Sequence, residues 1–104
     1  MSLTGNEDHS ISLTTASEWT ANYRATISSG DPLGNYFGQA AIAAILAQED
    51  CIGIRIYYAL DGVGDKKLII TGVDEDGNDL YEGELAEKAV ENPPFGAASN
   101  PLNS

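Results

Sequence analysis

Histidine and cysteine occur once each in this 104-residue chain, as His9 and Cys51, and only five residues are basic. Each shortage excludes a class of protein. With one cysteine no internal disulfide can form, so a disulfide-stapled secreted scaffold is ruled out and a reducing cytoplasm is the expected location. Cys51 has no spaced partner for a conventional zinc set and reads as a buried or edge thiol. His9 lies in the polar start "MSLTGNEDHS" and reads as a solvated surface residue. Ser–His or Cys–His activation therefore has no evident base, so an enzyme is the least favoured of the readings and no cofactor is expected.

The basic residues, Arg24, Arg55, Lys66, Lys67 and Lys88, are too few and too scattered to displace counterions from a nucleic acid. Nucleic acid and anionic membranes are accordingly not expected partners. No apolar run approaches the roughly 18 residues needed to cross a bilayer, and the first ten residues show no secretory pattern.

What the chain has in excess is acid. Sixteen acidic residues set a net charge of −11, and the segment from Asp74 to Glu91 alone carries −7. With 42% hydrophobic and 20% charged residues, the composition is that of one small folded domain with a modest core. The expected division is a flexible arm over 1–10, a single domain over 11–91, and an extended arm over 92–104 docked on it.

In "ISLTTASEWTANYRATISSG", Thr15 and Glu18 have capping-box spacing, Leu13 stands where a staple to Trp19 is expected, and Trp19, Tyr23 and Ile27 form one stripe. This predicts a helix ending near "SSGD". The stretch "DPLGNYFGQAAIAAILAQED" predicts a second helix, with Asp31–Pro32 able to start a turn and alanine dominating after Tyr36. Its small residues suit packing against a sheet and the first helix.

In "CIGIRIYYALD" the period changes to two. Ile52, Ile54, Ile56, Tyr58 and Leu60 face one way, and Cys51, Gly53, Arg55, Tyr57 and Ala59 the other. "DGVGD" supplies a turn and "KKLIITGVD" a second strand, so the pair reads as an antiparallel hairpin with Lys66 and Lys67 guarding an edge. "DLYEGEL" offers a third short strand. The predicted class is α+β: two helices on the Ile52–Leu60 side of a small antiparallel sheet. Tyr57, Ile69 and Val73 are then left on the second face, to be covered by the tail or by another copy of the chain. The tail "ENPPFGAASNPLNS" holds three of the four prolines, with Phe95 and Leu102 as its anchors.

Two stretches invite a functional reading. In "VDEDGNDLYEGE", placing Gly77 sixth in a calcium loop puts Asp74 third and Asp76 fifth, but leaves Gly72 first and Gly83 twelfth. The EF-hand match fails; a tight turn is expected, with Asp74, Asp76 and Asp79 as weak metal candidates. Arg55, a lone cation inside an apolar strand beside Tyr57, reads either as a clamp for an anionic ligand or as a strand residue whose head pairs with a nearby carboxylate.

"CIGIRIYYALD", "GVDEDGNDLYEG", the proline pair and the terminal "NPLNS" resemble a small family of Bacteroidetes-type bacterial proteins with no assigned activity. Cysteines common around the prolines in that family are lacking in "ENPPFGAASN", so a metal or redox role of the tail does not carry over. The resemblance implies a tail that belongs to the folded unit. The functional expectation is an acidic, non-enzymatic interaction module that self-associates, as a homodimer, through Tyr57, Ile69 and Val73; the alternative is a small-ligand or anion binder using Arg55 and Tyr57.

Overall fold

The computed structural model describes residues 2–87, 90–92 and 98–103. The chain forms two compact units, one from residues 1–7 and 37–89 and the other from residues 8–36 and 90–104. In chain order the elements are α1 (Leu13–Arg24), β1 (Gly34–Tyr36), α2 (Gln39–Leu46), β2 (Gly53–Leu60), β3 (Lys66–Val73), β4 (Leu85–Ala86) and β5 (Val90–Asn92). This is an α+β fold.

The first unit holds a three-stranded antiparallel sheet in the order β2-β3-β4. The alternation read in the sequence is realised residue for residue, with β2 and β3 in register from Gly53↔Val73 to Leu60↔Lys66. The expected third strand is present but interrupted: Asp79 bridges Val73, residues 81–84 swing out, and Leu85 and Ala86 then pair with Thr71 and Ile70.

Helix α2 contacts all three strands. Its approach is marked by Gly72, where an added Cβ would stand 3.4 Å from Ile45 Cγ2 of the helix and 2.9 Å from Gln48 Nε2 just beyond it. Because Gly72 pairs with Ile54, the helix lies on the side of the sheet to which Ile54, Ile56 and Ile70 point, as the alternation requires. Ile45 and Ile70 are the deepest residues of that layer. Eight residues of helix extend only about 12 Å, against about 27 Å for an eight-residue strand. One short helix can shelter β3 but not the whole hairpin.

Both hairpin turns are the same device. Asp61 N donates to Asp65 O and Gly64 N to Asp61 O; Asp74 N donates to Asn78 O and Gly77 N to Asp74 O. Gly64 and Gly77 take positive φ, at +91° and +84°. In each turn the leading aspartate Oδ1 accepts two backbone N–H groups, from Val63 and Asp65 or from Asp76 and Asn78. This is a three-residue hairpin loop closed by a left-handed glycine and capped by an Asx side chain. The acidic stretch from the sequence is thus a turn, and "DGVGD" and "DEDGN" are two copies of one pattern. The starting segment belongs to this unit through Leu3 N, which donates to Glu75 O at 2.7 Å.

The second unit corrects three expectations. Helix α1 begins a turn earlier than the capping box implied: Ser12, not Thr15, is the N-cap, its Oγ accepting from Thr15 N at 3.1 Å. Leu13 becomes the first helical residue, and Leu13 and Trp19 are both largely exposed, so no buried staple forms. Asp31–Pro32 does not open a helix. Gly34–Tyr36 is a strand paired with Val90–Asn92, so the chain enters its extended tail as β5. Glycine and asparagine are weak helix formers, and a strand partner 56 residues away tips the balance. At the far end, Arg24 Nη1 donates to the Leu102 carbonyl at 2.7 Å. Phe95 lies outside the described residues.

Two outcomes follow. Ile45→Ala is expected to cost about 2–5 kcal/mol in urea denaturation, the range for emptying a well-packed aliphatic site. Gly64→Ala and Gly77→Ala should each cost about 1–2 kcal/mol, because alanine resists positive φ. Gly62→Ala, at a position open to solvent and without positive φ, should be close to neutral. Unequal losses at Gly64 and Gly77 would show that the two turns are not equivalent.

Candidate functional site

Arg55 and Tyr57 sit two residues apart on β2 and so share the face opposite α2. Asp79 bridges Val73, the partner of Gly53, which puts its side chain on that same face but on the far flank of β3. Gly53 presents no side chain in that row, and Arg55 reaches over the middle strand. Its Nη1 donates to Asp79 Oδ1 and, at 3.0 Å, to Gly77 O in the turn. The Tyr57 hydroxyl donates to Asp79 Oδ2. Both oxygens of one carboxylate are thereby engaged, one by a cation and one by a phenol. Under this bridge lies Thr71, 2% exposed and opposite Arg55, its hydroxyl donating to Gly72 O.

The electrostatics follow from the contacts. The Tyr57 hydroxyl, and after it Arg55, hold the Asp79 carboxyl below the usual aspartate range. Its hydrogen bond to Asp79, with some desolvation, pushes the Tyr57 phenol above the usual tyrosine range. The bond to Asp79 likewise raises Arg55. Acid and phenol move away from neutrality, whereas a group that exchanges protons in catalysis is tuned toward the working pH. The cluster holds its protons in place.

Beside it, Asp79, Leu80, Tyr81, Glu82 and Gly83 line an open cleft of about 340 Å³. Gln48, just beyond α2, fixes its wall: Oε1 accepts from Glu84 N and Nε2 donates to Ile45 O, both at 2.9 Å. A Cβ at Gly83 would fall 1.9 Å from Gln48 Oε1, so glycine is needed for this approach.

The structure redistributes the residues singled out in the sequence. Arg55 and Tyr57 do come together, but the carboxylate between them is the chain's own Asp79, so a ligand clamp is already filled. Asp74 Oδ1 caps its turn, and Asp74, Asp76 and Asp79 do not gather; among the described residues no group of three or more His, Cys, Asp or Glu side chains is placed to hold a metal ion. Cys51 is half-buried and donates to Gly53 O. Of the expected interface trio, Val73 is 3% exposed and Ile69 half-buried, which leaves Tyr57 alone with substantial surface. The bridge and the returning chain cover the second face from within the unit.

Strand β2 itself carries a bare apolar row. Ile54, Ile56, Tyr58 and Leu60, on the helix side, are 40%, 47%, 92% and 70% exposed, because α2 is too short to reach over them. Strand β2 is also terminal in its sheet. Among the described residues no backbone group from elsewhere bonds to its outer edge. The stretch of β3 that β4 leaves open carries Lys66 and Lys67, as expected of a guarded edge, whereas β2 has one charge, and Asp79 neutralises it. The alternation was legible in the sequence; which side stayed open was not, since that depends on the length of α2.

No family model, curated protein or solved structure matches the chain, so its function is read from this geometry. Among the described residues no helix is long and apolar enough to cross a membrane.

The bridge has a pH signature at both ends of the scale. A depressed Asp79 contributes its stabilisation in full above the pH where an unfolded aspartate ionises, and loses it as pH falls through the lower folded value. A raised Tyr57 contributes in full below the pH where an unfolded tyrosine ionises, and loses it as pH rises through the higher folded value. In thermal melts across pH, Asp79→Asn is expected to flatten the acid limb and Tyr57→Phe the alkaline limb. Limbs unchanged in both variants would mean the bridge does not form in solution.

Proposed function

We propose that this protein is a small, acidic, non-enzymatic interaction module whose binding element is strand β2. The observation that carries the reading is the combination of an outer edge unpaired among the described residues and an exposed apolar row on one eight-residue strand. An open edge offers a ladder of N–H and C=O groups to an incoming strand, and alternate side chains add selectivity. Arg55, Tyr57 and Asp79 act as scaffold in this reading: they lock the second face, neutralise the only charge on β2 and keep the strand straight for pairing. An anionic small ligand at Arg55 and Tyr57 is the lesser alternative, because it must first displace Asp79.

The partner is taken to be protein, since 16 acidic against five basic residues disfavour nucleic acid. A reducing cytoplasm, where the Cys51 thiol stays free, is part of the same proposal, as is membership of the Bacteroidetes-type family that the sequence resembles.

The test uses a solubilised peptide carrying residues 53–60 as a probe strand. Added to the isotopically labelled protein, it should shift amide resonances of β2 and leave those of β4 in place. Shifts absent throughout β2, or spread evenly over the protein, would remove β2 as a binding element.

A further inference from the structure

We infer that the partner of β2 is the β2 strand of a second copy, paired antiparallel across a two-fold axis at Ile56, so that two three-stranded sheets join into one of six strands. This rests on the reading of β2 as the binding element and names what binds there.

The strand is self-complementary in that register. Residues directly opposite in an antiparallel pair share a face. Centring the axis on Ile56 sets Ile56 against its own copy and Ile54 against Tyr58 of the other copy. These are aliphatic and aromatic–aliphatic cross-strand pairs of the kind that stabilise sheets. On the other face the same register sets Arg55 against Tyr57 of the second copy and Gly53 against Ala59. The heads of both residues are turned over β3 to Asp79, so neither opposes the pairing. Shifting the axis to Arg55 would oppose two like charges, which the sheet disfavours.

Charge on the strand itself does not oppose this occupant. The chain carries −11, of which −7 lies between residues 74 and 91, beyond β2. Two copies can approach through a strip whose single cation is already matched by Asp79. The strip is also where burial is still to be gained. Ile54, Ile56, Tyr58 and Leu60 would form a continuous apolar row with their counterparts, the kind of patch that marks an interface. Strand β2 holds no proline and no lysine, the residues that usually blunt such an edge.

The experiment is sedimentation of the full chain over a concentration series, together with engineered cross-linking. The unaltered protein is expected to move from one to two copies with rising concentration. Ile56→Lys and Tyr58→Lys, at positions already exposed in the single chain, should each weaken this association at least tenfold without altering the far-ultraviolet spectrum. In a Cys51→Ser background, Ile56→Cys should give a symmetric disulfide-linked dimer on mild oxidation, because facing residues of an antiparallel pair stand about 4.5–5.5 Å apart, within disulfide reach. Val63→Cys, exposed at the hairpin turn, should not.

A protein that stays single at high micromolar concentration overturns the inference, as does an association that both lysine variants leave intact. Linkage through residue 63 as efficient as through residue 56 overturns the register. If the protein stays single while the peptide of residues 53–60 still shifts β2, self-pairing falls and β2 remains a binding element for another protein. If neither is seen, both readings fall.

Discussion

The contact between Arg55 and Asp79 above strand β3 is the constraint on which the rest of the first unit depends. A three-stranded sheet has two faces to shelter, and among its described residues this unit has one short helix for one of them. The second face is closed by polar means. A cation from β2 and a carboxylate from the returning chain meet over Thr71, and Tyr57 takes the remaining oxygen. The exposed half of such a pair gains little from Coulomb attraction alone, because water screens it. Its value is geometric: both carboxylate oxygens are used, and Arg55 also holds the Gly77 carbonyl, so the turn, the interrupted third strand and the hairpin are tied together.

That tie explains the interrupted edge. Asp79 pairs with Val73, the chain swings out through residues 81–84 where Gln48 catches the Glu84 amide, and Leu85 then rejoins β3. Asymmetry results. One side of β3 is pinned by side chains, Gln48 included, while β2 on the other side is left with an open edge and an uncovered apolar row. A sheet satisfied so unequally has one direction in which it can grow.

Some of the candidate site was legible from residue order. Arg55 stood out because a charge interrupts an apolar alternation, and Tyr57 because it shares that face. Asp79 did not stand out, since it is one of eight acidic residues between positions 74 and 91 and nothing local separates it from Asp76 or Glu82. Only the turn length, which sets the register of the return, makes it the one that reaches Arg55. Val73 shows the converse. Its β-branched side chain was correctly placed on the second face, but exposure depends on what lies above, and the folded chain lays its own Asp79 bridge there.

The sequence by itself determined those features whose causes lie within a few residues: the period-two alternation of β2, the alanine-rich run of α2, and the two Asp-x-x-Gly turns in which an aspartate caps and a glycine accepts positive φ. Tertiary structure decided the features that join distant segments. It made Gly34–Tyr36 a strand by supplying Val90–Asn92 as partner, and it chose Asp79 among the acids. It also left the helix-side row of β2 in water because eight residues of helix span less than half of a strand. Local torsional preferences act over one turn of chain; pairing, covering and charge matching act over distance in space, and residue order specifies that distance only once the fold has closed.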